Sequence, residues 1–249
     1  MVFTRSARVI INGDSICDPN FPYQLWLPIV TAISGYYSGT GPFAPSPPRY
    51  PPGGVCPPIF VNRAVTSEAL EQTLTHIDAD LACCRFTHAL LGTFINDAAG
   101  ITIGSYDQAH VLSNLDAMVA KYKAAGITQM LCVGPLCDGE LYPSGQNNPA
   151  IGPTMDANID ALDAALAIRI PTYNGGGFTA EYVPLRGPVY ATLEPQLNTA
   201  ANGFADPHGL ANGPLCTPLI PPSTIPGLHP NCTGRYYCNQ QVWPKIVLS

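Results

Sequence analysis

The sequence predicts an α/β domain: a parallel sheet with helices on both faces. Three observations carry this. Short β-branched or apolar runs recur along the chain, amphipathic helical patterns lie between them, and each run ends in a polar turn. Strand–helix–strand order of this kind places successive strands parallel, with the loops that bind ligands at their carboxyl ends.

Val9-Ile10-Ile11 is the first buried strand, broken by Asn12-Gly13, after which Asp14 and Ser15 follow in a sharp turn. Asp18–Pro22 reads as a loop and Tyr23–Ser34 as a helix. Residues 35–58, rich in proline and glycine with tyrosines between, read as an ordered surface loop partly in polyproline conformation. Ile59-Phe60-Val61 is the second strand, ended by Asn62, and a helix is expected from Ser67 to about His76. Thr87–Phe94 is the third strand, ended by Ile95-Asn96-Asp97. Ser105 with Gln108 suggests a capping box, opening a helix that Gly126 stops. Ile127–Val133 is the fourth strand. Ile159, Leu162, Leu166 and Ile170 mark a further helix closed by Pro171, and Val189–Thr192 is the expected fifth strand. Trp243–Leu248 is an apolar tail expected to pack on the core. Neither a repeat nor a domain boundary is visible, so residues 1–249 are read as one domain.

Charged residues make up only 11% of the 249, against roughly 25% in ordinary soluble domains. With a formal net charge of -6 and no basic cluster, nucleic acid and anionic membrane surfaces are not expected partners. The longest apolar run, around Leu25–Ile33, is too short to span a bilayer. Nine cysteines point to an oxidising compartment and hence to a secreted protein with disulfides, although the first residues read as lead-in and strand rather than as a signal peptide. Cys132 with Cys137, and pairs among Cys216, Cys232 and Cys238, are the first bridges to test. Zinc would need CxxC or Cys/His spacings that do not occur, so no metal or cofactor is expected.

The chemistry concentrates in the turns after the first three strands and in one late segment. Ser15 stands in the first turn, where a nucleophile would meet a ligand. Asn62–Glu68 forms the second, where main-chain N–H groups at a helix start can face developing negative charge. Asn96 offers a side-chain amide in the third, and Pro226-Gly227-Leu228-His229-Pro230-Asn231 brings a histidine in a turn-rich stretch.

In order and approximate spacing, Gly13-Asp14-Ser15-Ile16, Asn62–Ser67, Ile95-Asn96-Asp97 and Gly227–Asn231 resemble the four sequence blocks of the SGNH (GDSL-type) hydrolases. The resemblance spans residues 8 to about 240. It implies a three-layer α/β/α flavodoxin-like fold with a central parallel sheet of about five strands. It also implies ester hydrolysis through an acyl-enzyme, on small-molecule, lipid or acetylated carbohydrate esters. Ser15 takes the place of the nucleophile and first oxyanion donor, Ser67 and Asn96 of the second and third donors, and His229 of the general base. His208 is a rival base.

Four positions depart from the family pattern. Ala64 and Ser67 replace glycines in the second block, which keeps a main-chain N–H if the backbone does not need a positive φ there. Phe94 replaces a glycine two residues before Asn96, which would put a ring beside the acyl site. Pro226 stands where the family has the acid that orients the histidine. The main-chain carbonyl of Pro226, or alternatively Asp206, is the candidate to take that part. Asp14 is read as a residue that fixes the turn, and Asp97 as a loop hydrogen-bond acceptor. The contrasting reading is a binding or structural module that kept the fold and lost catalysis.

Overall fold

A computed structural model describes residues 1–4, 6–14, 16–19, 25–38, 58–136, 152–188 and 238–249. The chain opens with β1 (Val2–Phe3) and β2 (Arg8–Gly13), then α1 (Leu27–Ser38), β3 (Ile59–Asn62) and α2 (Leu70–Ala82). It continues through β4 (His88–Gly92), α3 (Ile95–Thr102), α4 (Gln108–Ala124), β5 (Gln129–Val133) and α5 (Gly152–Arg169). After α5 come β6 (Thr179–Val183) and the terminal β7 (Val247–Leu248).

Five strands form a parallel sheet in the order β3-β2-β4-β5-β6. Helices flank it, giving the three-layer α/β/α arrangement. Every residue of β4 and the run Val9–Asn12 of β2 are buried, which requires cover on both faces of the sheet. The chain order reverses between β2 and its neighbours β3 and β4, so the carboxyl ends of β2 and β4 flank the switch point where such sheets place ligands. Gly13 ends β2 with φ 149°, and a Cβ there would lie 1.5 Å from the Gly92 carbonyl oxygen. Only glycine lets these two strand ends come so close.

Several boundaries differ from the sequence reading. The first helix begins at Leu27, with Pro28 in its first turn, and runs on to Ser38. Its last turn is kept by Tyr37, whose hydroxyl donates to Phe3 O at 2.5 Å and Ser249 O at 2.9 Å. Thus Gly35-Tyr36-Tyr37 belongs to a helix rather than to the expected loop. The second helix starts three residues late, because Ser67 has a left-handed φ of 67°, and Ile77 carries its buried face past His76. Asp107, not Ser105, caps α4, its carboxylate accepting the His110 N–H at 2.8 Å. Ile95-Asn96-Asp97 is not a loop but the first turn of α3.

The fifth strand of the described sheet is Thr179–Val183. The expected Val189–Thr192 strand lies outside the described residues. The tail forms β7, which pairs in parallel with β1 as a separate two-stranded sheet.

No disulfide occurs among the described cysteines. Cys17, Cys83, Cys84 and Cys132 carry free thiols. The Cys132–Cys137 expectation is corrected at Cys132: it sits near the end of β5 with its side chain wholly inside the core. Cys56, Cys137, Cys216 and Cys232 lie outside the described residues.

Candidate active site

The turn that follows β2 is built around Asp14. Its carboxylate accepts the Ile16 N–H at 3.0 Å, the Thr93 N–H at 3.2 Å and the Ile95 N–H at 3.4 Å. The Thr93 hydroxyl adds contacts of 2.9 and 2.8 Å to its two oxygens. Burial pushes the Asp14 pKa up, and these donors pull part of the way back. Asp14 O in turn accepts the N–H groups of Cys17 at 2.9 Å and Asp18 at 3.0 Å, which winds the turn tight. Asp14 therefore fixes the turn, as its place beside Ser15 suggested. Ser15 itself lies outside the described residues.

The segment after β3 is anchored to the same end of β2. Arg63 N–H donates to Ile11 O at 2.7 Å and Val65 N–H to Gly13 O at 3.1 Å. The Asn62 amide donates to Cys17 O at 2.7 Å while its oxygen accepts the Ala64 N–H at 3.0 Å. Asp18 accepts both the N–H of Thr66 at 2.9 Å and its hydroxyl at 2.5 Å. These contacts hold Ser67 in its left-handed conformation, so the sequence condition on that position fails: the backbone does take a positive φ there.

Phe94 shows the same thing. It has φ 62° and stands as the N-cap of α3, where the family pattern has glycine. Its side chain is buried and lines a narrow cleft with Gly13, Asp14, Glu68 and Asp97. Two of the three departures from glycine, Ser67 and Phe94 but not Ala64, thus fall at left-handed positions, where a side chain is strained by roughly 1–2 kcal/mol. The main-chain N–H is kept in each case.

The tertiary structure ties Asn96 to the segment that carries Ser67. Asn96 Nδ2 donates to the carbonyl oxygen of Glu68, the residue after Ser67, at 2.9 Å. Asp97 faces the same region: its carboxylate accepts the N–H of Leu70 at 3.1 Å, at the start of α2. Burial raises the Asp97 pKa to about 7, the Leu70 bond pulling down and the Asp14 charge adding to the rise. Asp18 does not stand out in the sequence as part of the site, because its partner Thr66 lies far along the chain.

His229, its rival His208, Asp206 and Pro226 all lie outside the described residues. The other histidines have local partners. His88 stacks on Phe3 and bonds Val2 O, and His110 stacks on Tyr106. Among the described residues no group of three or more metal-ligating side chains is arranged to hold an ion, and no helix is long and apolar enough to cross a membrane. A larger apolar cavity of about 490 Å³ lies between Ile29 and Ala32 of α1 and Trp243, and shares no described lining residue with the cleft.

No family model matches the sequence, and no curated protein does. Solved structures share the fold over nearly the whole chain. An acetylxylan esterase from Geobacillus stearothermophilus has a TM-score of 0.59 at 12% identity, covering 98% of this chain and 96% of that one. A catalytic mutant of the same esterase, with a serine replaced by alanine, gives 0.57 at 12% identity over 96% and 93%. A GDSL-like lipase from Bacteroides thetaiotaomicron gives 0.51 at 14% identity over 96% and 86%. The fold is one that ester hydrolases use.

Proposed function

We propose that the protein is a serine esterase acting on carboxylic esters through an acyl-enzyme. Ser15 attacks the ester carbonyl, and His229 takes its proton and returns it to the leaving alcohol. The N–H groups of Ser15 and Ser67 and the Asn96 amide stabilise the oxyanion. The observation that supports this reading is the Asn96–Glu68 hydrogen bond, which ties Asn96 to the segment that carries Ser67. The likeness of fold to acetylxylan esterase and GDSL-like lipase supports it. The substrate classes proposed are a short acyl ester, an acetylated carbohydrate or a lipid ester. The carbonyl of Pro226 orients His229, with Asp206 as the alternative.

The test is hydrolysis of p-nitrophenyl acetate together with labelling by a fluorophosphonate. Ser15→Ala is expected to abolish both. Unchanged turnover refutes the assignment, and a folded wild-type protein that takes no label supports a catalytically silent binding module. A loss of several hundred-fold in kcat on Asp206→Asn would move the orienting role from Pro226 to Asp206.

A further inference from the structure

His76, on α2, stands between two carboxylates. Its Nδ1 is 2.6 Å from Asp80 Oδ2 and its Nε2 is 2.9 Å from Glu68 Oε2. An ionised carboxylate only accepts, so both ring nitrogens must donate, and only the imidazolium carries two N–H groups. Partial burial works against that charge, but the bonds and charges of Glu68 and Asp80 outweigh it and hold the His76 pKa above its ordinary value.

Each carboxylate has a second tie. Asp80 Oδ1 lies 3.4 Å from Arg63 Nε, and Glu68 Oε2 accepts the Thr73 hydroxyl at 3.4 Å. Arg63 and Glu68 stand at the two ends of the turn that carries Ser67. That turn is therefore clamped to α2 twice, by Arg63 on Asp80 and by Glu68 on His76. On the helix packed against α2, His110 and Lys121 face Glu71 and Asp78, the remaining acidic groups of α2. From the clamp the linkage runs on through the main chain, since the Glu68 carbonyl accepts the Asn96 amide.

We propose that His76, as the imidazolium, is a positioning residue for the oxyanion hole: by gripping Glu68 it sets the Ser67 N–H and the Asn96 amide. This rests on the reading of Ser67 and Asn96 as oxyanion donors. Losing the proton takes the His76 donor away from one of the two carboxylates, leaving it only its weaker second tie, and loosens the turn. The sign is opposite to that of the catalytic base. His229 works only when neutral, so activity rises through the acid range. His76 works only when charged, so kcat falls again as pH passes the raised His76 pKa.

The experiment measures kcat and KM against pH for p-nitrophenyl acetate in wild type, His76→Gln and His76→Arg, with an NMR titration of the His76 ring and the Asn96 side-chain amide. His76→Gln is expected to lower kcat roughly tenfold at pH 7, with KM changed less than about twofold and no alkaline limb. His76→Arg, a permanent cation, is expected to restore most of kcat and hold it at high pH. In wild type the Asn96 amide signals shift with the midpoint of the His76 ring. An alkaline limb that persists unchanged in both variants overturns the proposal, as do Asn96 signals that ignore the His76 titration. Should His76→Gln fail to fold, the titration decides in the Asp97→Asn background, where the neighbouring carboxyl cannot move the Asn96 signals. Because that titration needs no activity, it separates the two readings. If Asn96 follows His76 but Ser15→Ala still hydrolyses ester, the coupling stands and its catalytic role falls with the esterase reading.

Discussion

Thr93 donates both its hydroxyl, at 2.8 Å, and its N–H, at 3.2 Å, to the Asp14 carboxylate, so the turns after β2 and β4 form one hydrogen-bonded unit. The two segments quoted for nucleophile and third oxyanion donor are thereby fixed to each other. Thr93→Val removes one donor from a buried carboxylate and is expected to destabilise the fold by about 1–3 kcal/mol. Thr93→Ser should recover most of this. Urea denaturation at pH 7 checks it, and equal stability of all three proteins would mean that the main-chain donors alone satisfy Asp14.

Ser67 has φ 67°, a conformation glycine adopts without a Cβ clash. Ser67→Gly is expected to stabilise by about 0.5–1 kcal/mol, the relief of strain exceeding the added freedom of the unfolded chain. Ser67→Val is expected to destabilise by roughly 1–2 kcal/mol, since a β-branched side chain tolerates this region poorly. Thermal unfolding reads both. Because the main-chain N–H is unchanged, Ser67→Gly should leave kcat within about twofold of wild type.

Asp97 has its pKa raised to about 7 by burial. In the unfolded chain it would titrate near 3.9. A raised carboxyl favours the folded state fully only below its unfolded pKa, and that advantage is lost as pH rises through the folded value. The window is therefore about pH 4 to 7. Asp97→Asn keeps an oxygen for the Leu70 N–H without the buried charge, and should stabilise by about 1–3 kcal/mol at pH 8. The gain should shrink towards pH 4. A gain that is the same at both pH values would assign the effect to packing rather than to charge.

Tyr122, wholly buried in α4, donates its hydroxyl to Asn12 Oδ1 on β2 at 2.8 Å. Tyr122→Phe leaves that buried amide oxygen without its donor and should destabilise by about 1–3 kcal/mol. The double variant Tyr122→Phe with Asn12→Leu should recover part of the loss. A single variant as stable as wild type, measured by urea denaturation, would show that the bond contributes nothing net.

If His229 is the base, ester hydrolysis should fall below about pH 6.5, where imidazole takes up a proton. A kcat/KM profile flat to pH 4 would exclude a histidine base.

Strands and helices whose patterns are local were legible in the chain. Val9–Ile11, Thr87–Phe94 and Ile127–Val133 contain the cores of β2, β4 and β5, and Val111, Leu115, Met118 and Tyr122 mark the buried face of α4. β6 was not legible, because Thr179–Val183 is a short edge strand whose partly exposed residues, Glu181 and Tyr182, break the apolar run. The Asn96–Glu68 and His76–Glu68 contacts were equally hidden, since no local pattern announces which side chain will meet a carbonyl or carboxylate from another element; only the i,i+4 pair of His76 and Asp80 within α2 is a local spacing.

Fold class and motif order can be read from the chain alone, because burial and periodicity act over a few residues at a time. It takes the folded molecule to put Ser67 and Phe94 in left-handed backbones, to bind Asp14 to the turn after β4 and to keep Cys132 a thiol. Those outcomes go against or beyond local preference. They are set by contacts between distant segments, which together outweigh a local strain of roughly 1–2 kcal/mol per residue.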